Sequence, residues 1–210
     1  FVNPDNGAKK EFAAYMKKFI AENSTQTCTI QVTGMPYIDV TMDRSLIYSQ
    51  FGSLAIAVLF VIFIVGLLLR SMLSGIYAAI PIVSAIFILF GFMGYTGIPL
   101  NVGTVLVASV AVGIGIDYSI HVISHFKDAL SKGEGVVAAL HETINISGKA
   151  IIINVFSVAA GFLVLLFSEM VPLEYFGLLI ALSMFASGFG ALTLLPAILI
   201  LSNKKHISIV

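Results

Sequence analysis

Asp117 follows a long uncharged tract, for between Ser71 and Ile116 this 210-residue chain has no Asp, Glu, Lys or Arg. The surrounding residues read GIGIDYSIHVISH (113–125), an aspartate, a tyrosine and two histidines after a glycine-rich apolar run. On an α-helix Asp117, His121, Ser124 and His125 share one broad face. Ser109 and Gly113 extend that face the other way, while Ala111, Gly115 and Ser119 form a neighbouring strip of small residues. Such a strip lets a second helix approach closely. The spacing therefore predicts that Asp117 faces a packed interior and not lipid.

The chemistry open to such a residue is proton binding. Holding a charged aspartate at mid-bilayer costs about 2.5–3.5 kcal/mol on insertion scales. Neutralising an ordinary aspartate at pH 7 costs about 4 kcal/mol. The two are close, so one hydrogen bond or a chain of water tips the balance, which is what a proton-coupled switch needs. The plainer alternative is that Asp117 packs or caps with no transport role. Tyr118 reads either as a core aromatic or as a hydrogen-bond partner. His121 and His125 approach the membrane interface, where ordinary hydrogen bonding competes with a part in proton passage. Asn154 and Ser157, in a later apolar stretch, can bond across helices or support that passage.

Other chemistries fail on spacing. Asp117, His121 and His125 offer three ligands with no evident fourth, so no metal and no cofactor is expected. GIGIDY lacks the third glycine of a dinucleotide fingerprint and follows no soluble strand. Intramembrane aspartyl proteases carry Gly-x-Gly-Asp and a second membrane aspartate; here one residue too many separates Gly115 from Asp117, and no second membrane aspartate exists. With no nucleophile, base and oxyanion set in view, the chain is not expected to be an enzyme.

The elements that must position these residues are membrane helices. Hydrophobic residues make up 59% of the chain and charged ones 10%, against roughly 25% charged in soluble domains. Ten of the charges fall in residues 1–44. No basic field suggests nucleic acid, and Lys9, Lys10, Lys17 and Lys18 read as one solvated helix face. Cys28 is alone and forms no internal disulfide. The sequence begins at Phe1 without Met or a signal pattern, so a piece of a longer protein is expected.

Residues 5–22 set Phe12, Tyr15, Met16, Phe19 and Ile20 at helical spacing. TCTIQVTG (27–34) alternates like a half-buried strand. Together they read as a short α/β remnant, the end of a domain over 1–44. Five transmembrane spans are predicted near 46–69, 73–95, 100–125, 149–167 and 175–201, within a membrane domain over 45–203 and before a tail over 204–210. An interfacial helix near 134–146 would present Val136, Val137, Ala139, Leu140 and Ile144. Arg70, Lys127, Lys132, Lys149, Lys204 and Lys205 fall on one side, while loops 96–101 and 168–174 carry no Lys or Arg. The bias predicts a cytoplasmic C-terminus and an outer location for residues 1–44.

Several stretches together resemble the resistance-nodulation-division (RND) superfamily, in its MMPL and hydrophobe-exporter branch. VTGMPYIDVTMDRSLIYS resembles the join between an extracytoplasmic porter domain and the next helix. LRSMLSGIYAAIPI with GYTGIPLNVGT resembles the following hairpin, GIGIDYSIHVISHF the helix with the Asp–Tyr proton-relay motif, and GALTLLPAILIL the closing helix. The resemblance covers nearly all of residues 30–203.

It implies an all-α polytopic membrane bundle of five transmembrane helices with one interfacial helix, after a short remnant of an extracytoplasmic porter domain. It further implies proton-driven export of lipids or other hydrophobic molecules across a bacterial or archaeal inner membrane, in contact with membrane lipids. Asp117 and Tyr118 would occupy the relay position, with His121 matching a commonly seen family residue. Their counterpart would come from another repeat of the same chain or from a second subunit. Val210 near the last helix favours the C-terminal half of a two-repeat transporter, with a half-size member as the alternative. The same five-helix unit serves as a sterol-sensing domain in other relatives, so a lipid-sensing module without proton-coupled transport is the second reading.

Overall fold

Helix ends in this chain fall where the backbone chemistry stops them. The computed structural model describes residues 6–24, 30, 35–100 and 102–203. They form α1 (Asn6–Asn23), α2 (Met35–Leu68), α3 (Met72–Thr96), α4 (Val102–Ser131), α5 (Val136–Thr143), α6 (Lys149–Leu163) and α7 (Val171–Ser202). A π turn (Ile144–Gly148) joins α5 to α6, and a 3-10 turn (Val164–Phe167) follows α6. Pro172 sits in the first turn of α7, where a missing N–H costs nothing. Gly97, at φ 71°, ends α3 in the left-handed region that glycine enters freely.

The chain divides into two compact units, 1–51 and 52–210. In the first, α1 buries Ala13 and leaves Phe12, Tyr15 and Phe19 exposed. The strand anticipated over 27–34 lies outside the described residues, Ile30 apart, as do Cys28 and the tail over 204–210. Among the described residues no strand occurs.

Among the described residues, five helical stretches are long and apolar enough to cross a membrane: Ser49–Leu68, Met72–Thr96, Thr104–Ser131, Val136–Phe167 and Val171–Ser202. The architecture is that of an all-α polytopic membrane bundle. The fourth stretch differs from expectation in one respect. The helix anticipated over 134–146 and the span anticipated over 149–167 are parts of one continuous helical run, because the π turn absorbs extra residues without breaking the backbone ladder. α5 buries Val136, Ala139 and Thr143, so Val137 falls on the exposed side.

α7 is the centre of the second unit and packs along α3, α4 and α6. Lipid tails are as apolar as leucine, so helices associate here by close van der Waals fit, and small residues permit it. Gly177 lies against the Phe162 carbonyl. A Cβ on Gly188 would stand 2.6 Å from Val155 Cγ2, and one on Gly190 would stand 3.2 Å from the Pro81 ring. Ser187 of α7 approaches Gly115 of α4 in the same way, 3.3 Å from where a Cβ would be. The Ala111–Gly115–Ser119 strip is thus the face of α4 that receives the rest of the bundle.

The hairpin between α2 and α3 closes tightly. Ser71 N–H donates to Gly66 O (2.8 Å) and Arg70 N–H to Leu67 O (3.2 Å), the pair of bonds of a Schellman turn. Arg70 holds the left-handed position at φ 51°, where a side chain costs about 1–2 kcal/mol relative to glycine. Two bonds bring helix ends together on this side: Tyr77 Oη to Ser202 Oγ (2.9 Å) joins α3 to α7, and Lys127 Nζ to Leu69 O (2.8 Å) joins α4 to the end of α2.

Candidate functional site

α4 has one closed face and one open face. Val107, Ala111, Gly115, Tyr118, Ser119 and Val122 are buried against the bundle. Leu106, Ser109, Gly113, Asp117, His121 and Ser124 recur every three or four residues and are all exposed. The row read from the sequence is therefore real as a row, but Asp117 does not face the interior of its own bundle. The close packing belongs to the neighbouring small-residue strip, and the Asp117 face is left uncovered within this unit.

Consecutive helical residues point about 100° apart, and this splits the Asp117–Tyr118 pair. Tyr118 is only 3% exposed. Its hydroxyl donates to Asn154 Oδ1 across 2.8 Å and lies 3.8 Å from Met184 Sδ, so its ring spans from α4 to both α6 and α7. Asn154 is itself exposed, and Ser157, three residues further along α6, is exposed as well. Thus Tyr118 links the inside of the bundle to a second uncovered polar pair. Asn154 meets Tyr118; nothing brings Ser157 into that contact.

His121 is exposed on the open face, and its backbone carbonyl accepts from Ser147 Oγ of the π turn at 3.4 Å. His125 is half-buried one turn further on. Among the described residues no group of three or more His, Cys, Asp or Glu is placed to hold a metal ion. Ser119 is fully buried and its hydroxyl has no hydrogen-bond partner.

Beyond the end of α4 the charges pair among themselves. Lys132 contacts Asp128 at 2.7 Å, and that hydrogen bond and charge raise the lysine above its ordinary range. Glu134 is raised in turn, first because its protonated carboxyl can donate a hydrogen bond to the Glu142 side chain and then by desolvation and the Glu142 charge. Both groups are solvent-facing trim to the site.

Sequence reasoning missed the Lys127–Leu69 bond altogether. Lys127 reads as a loop charge, and only the fold brings the end of α2 beside it.

The description MMPL family fits residues 2–208 of the chain. A protein of Methanocaldococcus jannaschii named as a membrane protein is 28% identical over 175 residues, 83% of this chain and 45% of that protein. The sulfolipid-1 exporter MmpL8 of Mycobacterium tuberculosis is 30% identical over 105 residues, 50% of this chain and 10% of the exporter. The apo-petrobactin exporter of Bacillus anthracis is 33% identical over 92 residues, 44% of this chain and 12% of the exporter. The chain thus spans less than half the length of these relatives.

Proposed function

The chain belongs to the MMPL family, and we propose that it is part of a proton-driven exporter of lipids or other hydrophobic molecules, with Asp117 as the intramembrane proton carrier. The observation that carries this reading is a carboxylate within a membrane-length helix, on a row of small and polar residues that its own bundle leaves uncovered. Facing lipid, an ionised Asp117 costs about 2.5–3.5 kcal/mol. A second repeat or a second subunit seated on this face removes that exposure and supplies a partner for the proton. A relative named as the sulfolipid-1 exporter supports the lipid-cargo side of the reading, and one named as the apo-petrobactin exporter supports export.

Tyr118 and Asn154 have a supporting part. Tyr118 donates to Asn154 and so holds α4 to α6 in register beside the carboxylate. His121 and Ser124 continue the polar row towards the basic loops, with Ser157 beside Asn154. The bias of Arg70, Lys127, Lys132 and Lys149 to one side supports a cytoplasmic position for those helix ends and loops and an outer position for residues 1–44, as an exporter of a cytoplasmic (inner) membrane would have. Protonation of Asp117 would change how the open face seats on its partner, and that motion would act on the outer domain.

One observation favours a second reading. Val58 and Ile62 of α2 and Ile76, Ile80, Val83 and Phe87 of α3 line an open apolar groove of about 360 Å³, a surface on which a lipid-sensing module could seat a lipid. Flux measurements on the full-length protein separate the two. Purified protein is reconstituted with lipid extract of its host, and lipid released to an acceptor is followed by mass spectrometry with and without a pH gradient. Asp117→Asn is expected to reduce gradient-dependent release to background while expression is retained. Undiminished release from that variant would sink the proton-carrier reading; saturable lipid binding without gradient-dependent release would favour the sensor.

A further inference from the structure

The helix that carries Asp117 also carries Lys127, ten residues and about 15 Å nearer its C-terminal end. A lysine at such a depth ordinarily extends its ammonium to water. Lys127 instead turns sideways and donates to the backbone carbonyl of Leu69 at 2.8 Å. The Schellman turn explains why that carbonyl is free to accept. Its two bonds occupy Gly66 O and Leu67 O, and Leu69, the residue before Arg70, is left with an unused carbonyl at the negative end of α2. An ammonium there makes a charge-assisted bond, stronger than a neutral one.

At this end α2 meets its neighbours closely. Most of its membrane stretch is uncovered, including Leu59, Phe60, Phe63 and Ile64. Its close approach to α3 lies in the same last turns, where Gly75 sits against the Ile62 carbonyl and Gly66 meets Met72. By connectivity, α2 is also the helix that leads back to residues 1–34.

We propose that Lys127 is the coupling residue between the proton site and α2: a shift of α4 set off at Asp117 is passed to the end of α2 through Lys127 and Leu69. The inference rests on the proton-carrier reading of Asp117. It needs no knowledge of the cargo, since what it concerns is motion.

The test uses the full-length transporter in proteoliposomes, with native cysteines replaced and an environment-sensitive fluorophore on Leu59→Cys, an exposed position of α2. Protonation itself is followed by the infrared carboxyl band that Asp117→Asn removes. On a pH jump, the unsubstituted protein is expected to give both the carboxyl band and the α2 fluorescence change. Lys127→Met should keep the band and cut the fluorescence change at least five-fold, and Lys127→Gln, whose shorter side chain falls short of Leu69, should do the same. Lys127→Arg, which still donates, should retain most of the change. An unaltered fluorescence change in Lys127→Met and Lys127→Gln overturns the proposal. Loss of the carboxyl band in both overturns it too, because Lys127 would then belong to the proton site or to folding. If Asp117→Asn leaves both signals intact, the proton-carrier reading fails, whatever Lys127 does.

Discussion

Gly113 and Gly115 are two residues apart in the same helix and do opposite things. A Cβ on Gly113 would meet nothing within 4 Å, whereas one on Gly115 would press on Ser187 at 3.3 Å and Ile82 at 3.5 Å. They mark the two faces of α4. The closed face is fitted by contact within this chain, and its residues are small because α3 and α7 lie against them. Apart from Leu106, the open face is also small and polar, with Ser109, Gly113, Asp117 and His121, yet nothing in its own bundle requires this. A face turned to lipid would gain from leucine and lose nothing by it. The difference teaches that smallness on the closed face records packing already made, while smallness on the open face is what the proposed second repeat or subunit would need.

The sharpest way to break this comparison is to enlarge both glycines. Gly115→Leu should cost about 3 kcal/mol or more, since Ser187 and Ile82 are themselves packed and cannot move aside. Unfolding in mild detergent, followed by loss of helical circular dichroism, reads that loss. Gly113→Leu should leave the same midpoint unchanged or slightly raised, because leucine is the better helix former by about 0.8–1 kcal/mol at most. In the full-length protein the order of interest reverses: Gly113→Leu should abolish gradient-dependent release even though the bundle is intact. A large loss of bundle stability from Gly113→Leu would mean that the open face is closed after all.

Tyr118→Phe tests the seam between the two faces, with a smaller effect. It removes the hydroxyl that donates to Asn154 and leaves the ring in place. A neutral hydrogen bond of this kind contributes about 0.5–1.5 kcal/mol net, and thermal unfolding in detergent should fall by that amount. Because Asn154 is exposed on a membrane-spanning stretch, where lipid offers no other donor, the cost should fall at the upper end. If the tyrosine also keeps α4 and α6 in register for proton passage, the pH profile of release should shift in Tyr118→Phe. Tyr118→Leu, which removes the ring as well, should cost more stability.

How much of this was legible in the sequence follows from the same pair of faces. The uncharged tracts announced the helices, since a charge inside a span is too costly to be placed casually. The helical repeat put Asp117, His121 and Ser124 in one row and Ala111, Gly115 and Ser119 in the next. What the repeat cannot say is which row the chain's own helices will cover, because Gly113 and Gly115 are the same letter. The end of α2 was legible to within one residue, at 69 against Leu68, because Arg70 stops the apolar run; that Arg70 itself takes the left-handed position, where glycine is usual, required the fold. That the helix near 134–146 and the span near 149–167 form one continuous run is not legible for a related reason: a π turn leaves no mark in the composition. Asn154 was readable as a residue able to bond across helices; that its partner is Tyr118 required the fold.

The smallest expected effect concerns Ser119, the next residue on, and it has the opposite sign. Asp117, Tyr118 and Ser119 are consecutive, and the helix turns them from open to buried. Tyr118 goes inward with a partner for its hydroxyl, but Ser119 goes inward without one. A buried hydroxyl with no partner carries a desolvation cost of about 1–3 kcal/mol, while an apolar replacement of similar size carries none. Ser119→Ala keeps the strip small enough for α7 to approach, so it should stabilise the bundle by about 1 kcal/mol, read as a higher unfolding midpoint. Gradient-dependent release should be unaffected, because polarity is useful on the face proposed to meet a partner and a burden on the face already filled. A fall in release with a raised midpoint would show that the two faces are not independent, and that the Ser119 hydroxyl holds water for the same proton path.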